Sequence, residues 1–173
     1  MKYSGRDFLL GSLLLALALI FPILFHAVGL GSIFLPMFYP IITAGFLVAL
    51  PVAAAVGFLA PITSSLLTGM PPLFPPIAFI MMVEGLVLAS IPALLHQKYK
   101  LKILPTLAVT IFAERLVLLG AVVLSAKWLS LPEGVLGLAS LLRSLPGIVF
   151  IFFLIPPLVR KLEERIQRQP LME

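Results

Sequence analysis

Six apolar runs, at about 8–25, 36–50, 52–69, 76–95, 103–126 and 135–158, occupy most of the chain and leave it few folds to choose from. In lipid such a run is stable only as a helix, because every backbone N–H and C=O must find its partner inside the segment. Gly and Pro supply the punctuation. Gly29 and Gly31 follow the first run, Pro51 separates the second from the third, and Met70-Pro71-Pro72 closes the third. Pro75-Pro76 opens the fourth and Pro132 precedes the sixth. Proline suits a helix start, where its missing N–H costs nothing, and breaks a helix interior. With 61% hydrophobic and 11% charged residues among 173, the expected class is an all-α integral membrane protein. One transmembrane domain, 1–173, accounts for the length and leaves little for a separate soluble domain.

Cysteine is absent, which excludes disulfides, thiolate metal sites and a cysteine nucleophile. A net charge of +5 suits nucleic acid in a soluble protein, but here the basic residues sit at the ends of apolar runs, where they orient a chain in the membrane. The first run follows a basic start, as in a signal peptide. It is long for one and no small-x-small cleavage site follows, so it reads as a retained span. Residues 36–69 as one helix would extend about 50 Å, against a hydrocarbon core of roughly 30 Å. A hairpin near Pro51 gives six spans. It puts Lys2, Arg6, Lys98, Lys100, Lys102, Arg160, Lys161, Arg165 and Arg168 on one side and Lys127 alone on the other. The positive-inside rule therefore favours six helices with both termini cytoplasmic, in a multi-pass protein of the cell membrane.

Four ionisable residues, Glu84, Glu114, Arg115 and Arg143, lie inside these runs. A charge at that depth costs roughly 2.5 kcal/mol or more and is usually kept for a substrate, an ion or a buried partner. Neighbours on a helix point about 100° apart, so Glu114 and Arg115 are expected to face different ways. One arrangement brings Arg115 and Arg143 to Glu84 beneath the outer loops, with Glu114 packed against another helix. The other is two internal ion pairs, two charges against two. A ligand held by two arginines would carry a carboxylate or phosphate, which matches the guanidinium fork. Phe34, Phe38, Tyr39, Phe74, Phe79 and Trp128 are available on the outer side to hold a flat ring, with Met37, Met70, Met81 and Met82 as adaptable packing. Each aromatic has lipid or core contact as its ordinary alternative.

His26 and His96 lie too far apart in sequence to suggest a metal site, and neither metal nor cofactor is expected. Ser64, Ser65 and Thr68 either bond a substrate or bond back to their own helix. The chain contains no His-Glu-x-x-His, Gly-x-Ser-x-Gly or phosphate-cradling glycine loop, so an enzyme is not expected and ATP hydrolysis must come from a partner. On the first run, Ser12 and Ala16 form a small-xxx-small pair that either docks another subunit or packs within the chain.

The stretch from Leu35 to Leu95, LPMFYPIITAGFLVALPVAAAVGFLAPITSSLLTGMPPLFPPIAFIMMVEGLVLASIPALL, has a proline-led second helix with Ala44-Gly45 and a glycine-spaced third. A Pro-rich link then enters a fourth helix bearing Glu84. With the six runs and the N-in, C-in arrangement, the chain resembles the S components of energy-coupling-factor (ECF) transporters. That resemblance implies a binder of a small water-soluble vitamin or related micronutrient, which joins a membrane coupling subunit and two ATPase subunits. It also implies docking through the positions of Ser12 and Ala16 and a ligand site in the outer half near Glu84, Arg115 and Arg143. The rival readings are a solitary ion-coupled carrier with a titrating Glu84 or Glu114, an intramembrane enzyme using these two as acid and base, and an assembly factor that binds no small molecule.

Overall fold

The computed structural model describes residues 4–74, 76–128 and 142–168, and within them the regular structure is helical throughout. Helix α1 (Gly5–Ala27) begins on a capping box. The Asp7 N–H donates to Ser4 Oγ at 3.3 Å and the Ser4 N–H donates to the Asp7 carboxylate at 3.0 Å. Two donors left open by a helix start are thereby closed. The second Asp7 oxygen accepts the Ala49 N–H at 3.2 Å, which ties the start of α1 to a distant turn.

The expected second span, 36–50, is shorter than the sequence suggested. One helical turn, α2 (Gly31–Phe34), is followed by Leu35 at φ 51°, and α3 (Phe38–Leu47) then runs for 10 residues. That length is about 15 Å at 1.5 Å per residue. The break has a local cause, because the Pro36 ring disfavours right-handed helix at the residue before it and Leu35 turns left-handed instead. The hairpin itself is present. It turns at Val48 and Ala49, both extended, and Pro51 falls in the first turn of α4 (Leu50–Thr68). Gly69, at φ 74°, ends α4 in the left-handed conformation that glycine adopts without penalty.

Helix α5 (Ile77–Pro92) starts directly after Pro76 and continues as a wider π-turn over Ala93–Lys98. Helix α6 covers Ile103–Trp128 and α7 covers Leu145–Arg168. The sixth run was expected to end near 158, but α7 continues through the charged stretch Arg160–Arg168, whose Lys, Leu, Glu, Gln and Arg are all good helix formers. Its expected beginning, 135–141, lies outside the described residues. Among the described residues, five helices are long and apolar enough to cross a membrane: α1, α4, α5 with its π-turn, α6 and α7. Gly31–Leu47 is a shorter apolar stretch.

Side-chain bonds show which segments share an end. Gln97 Nε2 donates to the carbonyls of Gly45 and Val48, each at 2.7 Å. His96 faces the Leu101 carbonyl through Nδ1 at 2.6 Å and Glu163 through Nε2 at 2.9 Å. With the Asp7–Ala49 bond, these gather the start of α1, the α3–α4 turn, the π-turn after α5 and the tail of α7. Arg6, Lys98, Lys100, Lys102, Arg160, Lys161, Arg165 and Arg168 all belong to or flank these segments. At the opposite end, Phe34 meets Phe25 at 6.1 Å and Phe150 at 5.9 Å, and Gly147 passes directly over the backbone of Ile33 and Phe34.

Between the ends, glycines let the helices touch backbone to backbone. A Cβ on Gly57 of α4 would overlap the carbonyl of Gly85 on α5, and the reverse holds equally. Likewise a Cβ on Gly45 of α3 would overlap the Ala89 carbonyl. Apolar side chains gain little by leaving lipid for a helix interface, so such close approach, through van der Waals contact, is the main attraction available. Around this contact pack Ile41, Ile42, Phe46, Leu88, Leu107, Ile151 and Ile155, all fully buried.

Candidate functional site

The buried charges form a tighter unit than their sequence positions suggested. Arg115 Nε and Nη2 donate to the two carboxylate oxygens of Glu114 at 2.6 and 2.7 Å, and Nη1 donates to Ser144 Oγ at 2.9 Å. The expectation that these neighbours face apart is corrected. Their backbone directions diverge as expected, but the flexible arginine stem brings the guanidinium back onto the adjacent carboxylate. Because this fork is occupied, Arg115 is not presented to a ligand carboxylate or phosphate.

Glu84 stands across from the pair on α5, within reach of both Glu114 and Arg115. It is 4% exposed and Glu114 is 0% exposed. Glu84 Oε1 is buried without a hydrogen-bond partner among the described residues. Arg143 is solvent-accessible and takes part in no ion pair among the described residues. The structure therefore joins Glu84, Glu114 and Arg115, two acids with one base, and leaves Arg143 outside. The two-against-two pairing does not form among the described residues.

A cavity of about 510 Å³ lies elsewhere, at the end remote from the basic residues. Its walls are Pro22, Ile23 and His26 of α1, the α2–α3 connection, Ser64 and Thr68 of α4, the Met70–Pro72 turn, and Ile77 and Met81 of α5. Most polar groups there are already engaged. Ser64 Oγ donates to the Met70 carbonyl at 2.7 Å, Thr68 Oγ1 donates to the Ser64 carbonyl at 2.8 Å, and His26 Nδ1 donates to the Pro22 carbonyl at 2.8 Å. Gly31 lies against the His26 ring, in space that a Cβ would take from it. Among the described residues, no Asp, Glu, Lys or Arg lines the cavity. The cavity therefore suits an uncharged, mostly apolar molecule that gains its orientation from one or two hydrogen bonds.

Of the aromatic candidates, Phe38 lines this cavity, whereas Tyr39 turns toward α7 and meets Phe150 edge-on at 6.1 Å. Phe34 is engaged with Phe25 and Phe150, and Phe74 and Phe79 are exposed. Trp128 ends α6; its ring and the connection after it lie outside the described residues. Met37, Met70 and Met81 line the cavity, as adaptable packing should. Ser12 and Ala16 are exposed among the described residues. Among the described residues no cluster of three metal-ligating side chains occurs. Sequence reasoning missed Pro22, Ile23 and Pro36 as cavity walls, and no polar residue type marks them. Compared with protein-family models, curated proteins and solved structures, the chain matches none.

Proposed function

We propose that this chain is the substrate-binding membrane subunit of an importer driven by separate ATPase subunits, built like an ECF S component. It crosses the cell membrane six times, with α2–α3 as the short second crossing and both termini cytoplasmic. The basic residues gathered at one end support that orientation through the positive-inside rule. The observation that carries the reading is the 510 Å³ cavity at the other end, a volume within the usual range for small-molecule sites. Its uncharged lining changes the expected ligand. A neutral, largely apolar micronutrient with a ring or short chain fits better than an anion, because Arg115 is occupied by Glu114. The exposed Ser12 and Ala16 on α1 support docking of the coupling subunit there.

The test begins with native mass spectrometry of protein purified from its own cells, to identify a retained small molecule. Met81→Trp should fill the cavity and reduce binding of that molecule at least tenfold while the helix content holds. Uptake should stop when the ATPase subunits are deleted. Retained affinity in the Met81→Trp protein would refute the assignment of the cavity.

One observation favours a second reading, a solitary ion-coupled carrier. The unpartnered Glu84 Oε1 beside Glu114 leaves a buried carboxyl oxygen open to a proton or a small cation. Uptake that survives loss of the ATPase subunits and collapses with the proton gradient would select this reading over the first.

A further inference from the structure

A second depression, about 460 Å³, lies at the basic end between the start of α6 and the second half of α7. Its walls are Leu104 from α6 and, from α7, two adjacent columns of residues spaced four apart. Phe152, Pro156, Arg160 and Glu164 make one column; Phe153, Pro157 and Lys161 make the other. Four-residue spacing stacks side chains on one helix face, so each column passes from apolar to cationic within about one turn.

The two prolines shape the trough. Neither has an N–H, so the carbonyls of Phe152 and Phe153 lack the donors that would have come from positions 156 and 157. The compact rings leave a recess, and Phe153 beside it is 76% exposed. Arg160 and Lys161 stand at the mouth, both exposed and neither in an ion pair among the described residues. The rim therefore carries two positive charges, Arg160 and Lys161, against Glu164.

We propose that this trough is a site for an anionic phospholipid of the leaflet at the basic end, which is the cytoplasmic one on the topology proposed above. The phosphate lies on Arg160 and Lys161, and one acyl chain runs past Pro156 and Pro157 between Phe153 and Leu104. Charge complementarity selects an anionic headgroup over a zwitterionic one, whose cationic part the rim repels. The apolar depth below the cations selects a lipid over free phosphate, which would need only the mouth. A basic recess between membrane helices on the cytoplasmic side is a recurrent setting for acidic headgroups.

The test uses the full chain, delipidated and returned to phosphatidylcholine vesicles with and without added phosphatidylglycerol. Retained lipid is counted by native mass spectrometry. Phosphatidylglycerol should be retained in preference to phosphatidylcholine. At about fivefold per cation, R160Q/K161Q should weaken its retention roughly thirtyfold. R165Q/R168Q removes the same charge from the same tail outside the trough and should change retention less than fivefold. L104W, at a half-exposed position that tolerates the larger ring, should also reduce retention by narrowing the chain channel while every cation stays in place. Equal losses in the two charge variants would overturn the proposal in favour of a diffuse basic surface. Displacement of the lipid by inorganic phosphate, or unchanged retention in L104W, would overturn it in favour of a headgroup contact alone.

Discussion

Replacing Gly85 by alanine adds a single methyl group, and the structure says where it goes. The new Cβ falls on the carbonyl oxygen of Gly57. Ordinary contact for such a pair begins near 3.4 Å, so α4 and α5 must separate locally. A gap of roughly an ångström forfeits a quarter to a half of each dispersion contact along the seam. Overpacking of this kind costs about 1–3 kcal/mol. Alanine also stabilises a helix by about 0.5–1 kcal/mol relative to glycine, which offsets part of the loss. Gly120→Ala isolates that second effect, since nothing lies within 4 Å of its would-be Cβ. Unfolding in a single detergent should therefore show Gly85→Ala destabilised by about 1–2 kcal/mol and Gly120→Ala unchanged or slightly more stable. The double variant Gly57→Ala/Gly85→Ala should lose less than the sum of its singles, because the first methyl already opens the seam for the second. Equal stability for Gly85→Ala and Gly120→Ala would refute the claim that backbone contact holds α4 to α5. Ligand affinity should fall in parallel, because the cavity walls at Ser64, Thr68, Ile77 and Met81 belong to these two helices.

Glu114→Gln should cost about 3–5 kcal/mol by stranding the Arg115 charge, toward the lower end because the Arg115 side chain is 20% exposed. Glu84→Gln, which removes the acid in excess, should cost less than about 1 kcal/mol or stabilise; equal losses in thermal unfolding would show that Arg115 serves both carboxylates. Gln97→Ala removes two hydrogen bonds that end α3 and should cost about 1–3 kcal/mol, seen as faster amide exchange at Val48, Ala49, Leu50, Val52 and Ala53; unchanged exchange there would contradict the capping role. Asp7→Ala loses the helix cap and the tie to Ala49, a loss of about 1–2 kcal/mol, read by protease cleavage in the first turn of α1; an unchanged cleavage rate would refute it.

Much of the framework was legible because membrane folding leaves strong marks. Pro51 and the lysines of the 98–102 loop sufficed to place a hairpin in the 36–69 stretch, and Asp7, Gln97 and His96 bond across the end where the basic residues were expected. Ala44-Gly45 and the glycines of the third run entered only as marks of a resemblance, and their close contacts with Ala89 and Gly85 follow from how α5 crosses. The buried charges were found but misjoined. A rule about backbone direction says little of how far an arginine reaches, and the Glu114–Arg115 fork is a side-chain event. The cavity was illegible for a different reason. Its walls are mostly apolar residues in a chain that is 61% hydrophobic, and a void arises where residues distant in sequence fail to fill space. Residue type records contacts made, not gaps left between them.

The two ends of the bundle are held by different kinds of attraction. Around Asp7, Gln97 and His96 the joints are hydrogen bonds of 2.6 to 3.2 Å, which weaken steeply once an angle or distance drifts. Around Phe25, Phe34, Tyr39 and Phe150 the joints are rings resting edge on face, which keep most of their attraction through a small slide. Slack is therefore concentrated where the void is, and the cheapest deformation of the bundle is a splaying of its far tips about a stiff base.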